Sequence, residues 1–248
     1  MVLEAQVGFV MAVLGLSGCV LFLFERRIQA RSAQWLGLFL GVFLYIVVHD
    51  LIDTLLLEPA VRVAFGTISS FSLTVIGFLL GGGSAYFLMR EHTGNQQEWT
   101  TILVLVAAIF ALHAAVDGIV VGNILQGLTK EEILLPAAIA LQVLHRFLEG
   151  GVLVTLMLVA GVRKLRIFAV TFYVGLPMAA TSPLVTLAPF ATVSALAIVL
   201  AYAEASAFFV LLLVALWPAL SARGNALQIA LWMLVGFLVT LLAHALAH

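Results

Sequence analysis

"LQVLHRFLEGGVLV", residues 141–154, carries an imidazole, a guanidinium and a carboxylate within five residues: His145, Arg146 and Glu149. Apolar residues flank them for a helical turn or more on each side. On a soluble amphipathic helix these groups would sit on a wetted face. In lipid, each is expensive. A charge at the bilayer centre costs about 2.5–3.5 kcal/mol on insertion scales, and such a group normally pairs with a partner or serves a site. The fold therefore turns on whether this stretch crosses a membrane.

Composition answers that question. Of 248 residues, 64% are hydrophobic and 9% are charged, and the mean hydropathy is +1.23. A soluble domain is nearer half apolar and a quarter charged. The chain reads as an all-α polytopic membrane protein, because lipid forces backbone groups to pair internally and the apolar runs are too long for barrel strands. A net charge of −1 offers no basic surface to nucleic acid. Cys19 is the one cysteine, which excludes an intrachain disulfide and a thiolate zinc cluster. Leu16-Ser17-Gly18-Cys19 resembles a lipoprotein cleavage site. The residues before it carry Glu4 and no base, and the apolar run continues to Phe24, so a retained first spanning helix is expected.

A spanning helix needs about 20 largely apolar residues. Polar breaks divide the chain into eight such runs, roughly 5–24, 34–57, 65–89, 100–122, 132–160, 165–188, 192–218 and 226–246. No long linker interrupts them, so residues 1–248 read as one transmembrane domain. Loops 1, 3, 5 and 7 hold Arg26, Arg27, Arg31, Arg90, Arg163, Lys164, Arg166 and Arg223, whereas loops 2, 4 and 6 hold only Arg62 and Lys130. The positive-inside rule then makes the odd loops cytoplasmic and both termini extracytoplasmic. Arg146 falls in no loop.

One spacing repeats. His49 and Asp53, His113 and Asp117, and His145 and Glu149 are each four residues apart, as are His244 and His248. With 12 acids in 248 residues, six histidines would meet an acid at that interval about 0.3 times by chance; three do. Such a pair projects from one helix face, about one turn apart. Two facing helices would offer an ion four ligands. A lone membrane histidine is usually an interhelical hydrogen-bond partner. Three buried His–acid pairs are a costly way to make structural hydrogen bonds, so His113, Asp117, His145 and Glu149 together point to metal or proton handling. His49 and Asp53 approach the end of their span, His244 and His248 lie at a chain end, and His92 sits in a polar loop.

Arg146 needs a counter-charge, and Asp117, Glu149, Asp53, Asp50 and Glu204 are the candidates. A structural salt bridge is the expected arrangement, and it would occupy the space and charge that a second divalent cation needs. Glu204, near the middle of the seventh run, would line an ion path, receive a proton or neutralise Arg146. Gly118, Gly122, Gly150 and Gly151 follow the ligand pairs and are expected to let the two ligand helices approach closely. Gly81–Gly83 would form a hinge or a packing notch. Pro177 and Pro183 are expected to kink the sixth run.

"LHAAVDGIVVG" and "LHRFLEGGVLV" resemble the paired signature helices of ZIP (Zrt/Irt-like) metal transporters. In that family the fourth helix carries a His-Asn-x-Pro-Glu-Gly pattern and the fifth a His-Glu-x-Pro-x-Glu or similar one. The layout of eight spans is also similar, as are the outward termini, the polar sixth run and a second run ending in "VVHDLIDTLLLEP". The resemblance covers the whole chain in layout and about 25 residues in detail. It implies a ZIP-like bundle in the cell membrane that is not an enzyme and moves a divalent metal toward the cytoplasm. His113, Asp117, His145 and Glu149 would be the ligands; His49, Asp53, Arg146 and Glu204 are, by their own positions in the chain, candidate pathway or supporting residues. Family members often bind a second metal through the Asn after the first His and the acid after the second. Ala114 and Arg146 stand there, so one ion is expected. Val116 and Leu148 replace both motif prolines, and "REHTGNQQE" replaces a long His-rich loop.

Imidazole and carboxylate ligands suit zinc foremost, then iron, manganese or cobalt, and argue against Cu⁺. The implied partners are the metal ion and the bilayer, and a homodimer is compatible. Two alternatives stay open. In one, a ZIP fold carries Arg146 in place of the metal and serves as a proton relay, sensor or scaffold. In the other, His49, His244 and His248 hold the metal of an intramembrane hydrolase.

Overall fold

The computed structural model describes the backbone over residues 2–92, 98–127, 136–188, 190–218 and 226–247. Some side chains within these stretches, among them those of residues 53–60, 123–127 and 136–144, lie outside the described set. The described backbone is helical almost throughout, with no β-strand. Helix α1 runs Val2–Leu14, tightens to 3₁₀ geometry over Gly15–Phe24 and relaxes over Glu25–Ala30. Helix α2 is Ser32–Phe65. Helix α3 comprises Thr67–Phe78, a wide π turn at Leu79–Gly83, and Ser84–His92. Helix α4 is Glu98–Gly127 and α5 is Pro136–Val159. Helix α6 is Lys164–Thr181 with one further turn at Leu184–Leu187. Helix α7 is Phe190–Leu211 with a π turn at Leu212–Leu216, and α8 is Ala226–Ala247.

Six stretches among the described residues are long and apolar enough to cross a membrane: Glu4–Ala30, Ser32–His49, Phe71–Arg90, Thr100–Gly122, Lys164–Leu187 and Thr192–Leu216. A shorter apolar stretch covers Ala226–Leu242. The surface fits lipid rather than water. Helix α8 alone exposes Leu227, Leu231, Leu234, Val235, Leu238 and Val239, more contiguous apolar surface than a soluble monomer carries. Three charged groups, Arg146, Glu149 and Glu204, are buried instead.

Glycine marks two helix ends. Gly66 adopts φ +82° and Gly161 φ +74°, a region that other residues avoid. At the end of α5, Gly161 N–H donates to Leu158 O and Val162 N–H to Met157 O, a Schellman closure that satisfies the last carbonyls. Helix α6 continues through Pro177 and breaks at Ser182–Pro183.

The helices pack in two sets. Within one, α1 lies against α5 and α6, and α4 against α6. Within the other, α2 lies against α7 and α8, and α3 against α7. The expected role of the glycines beside the ligand pairs changes here. Gly118 and Gly122 receive Met178 and Ser182 of α6, and Gly150 receives Gly15 of α1, rather than bringing α4 to α5. A Cβ on Gly118 would stand 2.6 Å from Met178 O. Gly81 is a packing notch against the Ala203 backbone of α7. The two sets meet through α4 on α7 and α2 on α5, with bulky side chains between them. Phe43 of α2 stacks on Phe110 of α4 at 4.3 Å and meets Phe208 of α7 edge-on at 4.8 Å.

Candidate metal centre

His113 and Asp117 project from one face of α4, and His145 and Glu149 from one face of α5. The four converge as their spacing predicts, and one ligand atom from each lies within 4.8 Å of all the others. This group could hold a metal ion. His113 Nε2 stands 2.8 Å from Glu149 Oε1 and 3.3 Å from Asp117 Oδ2. His145 Nε2 stands 2.5 Å from Glu149 Oε1 and 3.7 Å from Asp117 Oδ2. Metal–ligand bonds of about 2.0–2.1 Å put neighbouring ligands of a tetrahedron about 3.3 Å apart. Four of the six separations straddle that value and the other two lie within 4.8 Å, so the group is near the size that a metal ion needs. Hard carboxylates with borderline imidazoles suit a divalent transition metal.

The depth of the site follows from helix geometry. His113 lies about 22 Å along α4 from Glu98 and about 21 Å from Gly127 at 1.5 Å per residue. It is fully buried, whereas the His145 side chain is one-third exposed. The site therefore opens on the His145 side. On the other side stand Phe43, Phe110 and Phe208, with Phe43 meeting the His113 ring edge-on at 6.4 Å. Phe110 precedes His113 by three residues, and Phe208 follows Glu204 by four. Both lie one turn toward the same end of the bundle, so the three rings seal that end. These phenylalanines escape a reading of the sequence. The one-turn offset is visible there, but not the antiparallel course that brings the rings together.

Among the described residues, Arg146 pairs with two of its candidate partners, Asp117 and Glu149. Its Nη1 donates to Glu149 Oε2 at 2.6 Å, and its Nη2 pairs with Asp117 Oδ2. The guanidinium thus bridges the two carboxylates. Glu149 divides its oxygens, Oε1 toward the histidines and Oε2 toward Arg146. Glu204 is drawn to His113 instead, with its Oε1 3.3 Å from His113 Nδ1 and both side chains buried. His113 therefore presents Nε2 to the four-ligand group and Nδ1 to a carboxylate of α7. A small cavity bounded by α1, α4, α5 and α6 lies against Arg146 and Glu149, and Thr171 also lines it.

Charge decides what such a cluster can hold. Asp117, Glu149 and Glu204 bring three negative charges and Arg146 one positive, leaving two negative when both histidines are neutral. A buried surplus of that size is strongly unfavourable without a compensating cation. One divalent ion, or two protons, restores neutrality.

His49 stays outside this group. It is half-buried on α2, with its ring 5.9 Å from that of Tyr45. The side chains of Asp50, Asp53, His92 and His244, and all of His248, lie outside the described residues, and so does any meeting of His49 with the last helix. In comparisons with known proteins, the chain matches no family model and no curated protein.

Proposed function

We propose that this chain is a ZIP-like transporter of a divalent transition metal, with zinc foremost and iron, manganese or cobalt as alternatives. All eight helices span the membrane, both termini lie outside the cytoplasm, and one metal at a time is carried toward the cytoplasm. The observation that carries this reading is the convergence of His113, Asp117, His145 and Glu149 from two helices at mid-depth in an apolar bundle, with an excess of two negative charges around them. That excess matches one divalent cation. Arg146 occupies the far oxygen of Glu149 and shares Oδ2 of Asp117 with the two histidines, which supports a site for no more than one ion.

Several features support alternating access. The ligands are accessible on the His145 side, and the three phenylalanines close the opposite path. All four ligands belong to the set α1, α4, α5 and α6, which meets the other set through bulky side chains. In the proposed cycle, metal enters past His145, displaces protons from the imidazoles and binds the four ligands. The ligand-bearing set then shifts against α2, α3, α7 and α8 until the site clears the phenylalanines. Once metal replaces the Nε2 contact with Glu149, the Nδ1–H of His113 would face Glu204 Oε1, which stands 3.3 Å away.

The test is uptake of Zn²⁺ into proteoliposomes, read by an enclosed zinc-sensitive dye, together with metal binding to purified protein. About one equivalent of metal, flux in the wild type, and loss of both in His145→Ala and Glu149→Ala are expected. Absence of binding and flux in the wild type at neutral pH would overturn the proposal.

One observation favours a second reading. Arg146 already holds both carboxylates, so a fixed ion pair in place of metal would make the fold a scaffold, sensor or proton relay. Under that reading, wild type binds no metal and an Arg146 variant loses fold stability without gaining metal affinity.

A further inference from the structure

We propose that the bundle end formed by the α1–α2 and α5–α6 turns holds the headgroup of an anionic phospholipid in a built cleft. Arg26, Arg27 and Arg31 line this cleft with Ala30 and Trp35, and it has a volume of about 570 Å³. All three arginines are exposed. The acid nearest in sequence, Glu25, is engaged elsewhere, its Oε2 pairing with Lys164 Nζ of α6 at 2.7 Å. Among the described residues, Arg26, Arg27 and Arg31 form no ion pair. The cleft thus concentrates three positive charges around a space.

Guanidinium groups suit a phosphate in particular, since their planar forks donate in pairs to its oxygens. The wall is firm. Trp35 stacks on Phe39 one turn further along α2, with ring centroids 5.9 Å apart. Tryptophan also favours the level of lipid headgroups. Helix α2 begins at Ser32 with no side-chain cap, so the positive end of its dipole adds to the field there.

Adjacent apolar surface identifies the phosphate as lipid-borne. Leu23 and Phe24, within a turn of Arg27, are 80% and 40% exposed. Val20, a turn earlier on α1, is exposed as well. A free anion would use only the arginines. A phospholipid would place its phosphate among them and lay its acyl chains along Val20, Leu23 and Phe24. Basic loops also orient a chain in the membrane, and that role predicts only a number of charges. The cleft predicts that these three arginines differ from Arg163 and Arg166, which are exposed at the same end outside it.

The test uses the purified full chain in neutral detergent. Short-chain phosphatidylglycerol and phosphatidylcholine are titrated separately, and binding is read by native mass spectrometry and by thermal shift. Wild type should retain about one phosphatidylglycerol in preference to phosphatidylcholine. Each base near an anionic headgroup contributes roughly fivefold, so Arg26→Gln/Arg27→Gln/Arg31→Gln should weaken retention on the order of 100-fold. Arg163→Gln/Arg166→Gln should stay within about fivefold of wild type. Equal losses in the two variants would overturn the cleft in favour of diffuse charge. Full displacement of lipid by millimolar inorganic phosphate would overturn a lipid ligand in favour of a soluble one. If the triple variant does not fold, Arg27→Gln and Arg31→Gln alone should each lose about fivefold, and no loss in either would refute the site. None of these outcomes depends on whether the chain carries metal.

Discussion

Replacing Arg146 by methionine removes one charge from the centre while keeping a long apolar stem. Its guanidinium touches Glu149 Oε2 at 2.6 Å, on the far side of the carboxylate whose Oε1 faces the histidines. An ion bound at about 2.0–2.1 Å to Glu149 Oε1 and to Asp117 Oδ2, the oxygen that Arg146 Nη2 also holds, would thus stand about 4–5 Å from the guanidinium. A positive charge and a divalent ion at that distance repel by roughly 7–8 kcal/mol at an effective dielectric of 20, or about 3–4 kcal/mol per unit charge. The carboxylates that Arg146 releases must be resolvated in its absence, so the smaller figure is the conservative one. Metal affinity in Arg146→Met should therefore rise on the order of 100-fold. The metal-free protein should become less stable by about 3–5 kcal/mol, because removing one partner leaves buried carboxylates uncompensated. Saturating metal should restore most of that loss. Calorimetric titration with Zn²⁺ and thermal unfolding with and without metal read both effects, with Arg146→Lys as the charge-conserving control. If Arg146→Met binds metal less tightly than wild type, the guanidinium supports the ligands rather than competing with their ion, and the electrostatic reasoning is refuted.

Other expected outcomes test separate parts of the structure. Glu204→Leu should weaken metal binding about 10–100-fold by releasing His113 Nδ1, while Glu204→Gln, which keeps an acceptor, should recover part of it; equal loss in both would assign the effect to charge alone. Metal binding should weaken as pH falls from about 8 to about 6, because the ligands must be neutral imidazoles and ionised carboxylates; calorimetry in two buffers of different ionisation enthalpy would count the protons released. Gly118→Val should destabilise the fold by more than about 1–3 kcal/mol, since its Cβ would meet the Met178 backbone. Gly83→Ala, with open space around its Cβ, should leave the melting temperature nearly unchanged by comparison.

The candidate centre was legible because helical spacing is a strong constraint. Residues four apart share a face, and charges in an apolar run must turn inward, so His113, Asp117, His145 and Glu149 could be grouped before any coordinates. The same logic placed Arg146 against Asp117 and Glu149, but among five candidates, because sequence fixes the angle about a helix and not which helix lies opposite. The glycines show the limit most clearly. Gly118 and Gly150 were expected to join the two ligand helices, yet they receive α6 and α1. Small residues announce a close approach without naming the partner. Pro177 is accommodated within α6, whereas Pro183 follows the residue at which the helix breaks. Propensity alone does not separate these two positions.

The contact between His113 and Glu204 joins the two helix sets at the centre itself. His113 belongs to α4, in the set that bears all four ligands, and Glu204 belongs to α7, in the other. The same interface carries Phe43, Phe110 and Phe208 one turn away. Any relative shift of the sets must therefore alter the His113–Glu204 contact and the aromatic seal together. A vacant site keeps two surplus negative charges unless it is protonated, and one of them, on Glu204, lies across the interface from the rest. A divalent ion at Nε2 would make the Nδ1–H of His113 a better donor toward Glu204, and it turns the net charge of the ligand-bearing set from −1 to +1, which Glu204 balances across the interface. On the proposed function, occupancy and mobility are coupled through one imidazole. The corresponding expectation is that Glu204→Gln slows metal flux more than its change in affinity accounts for.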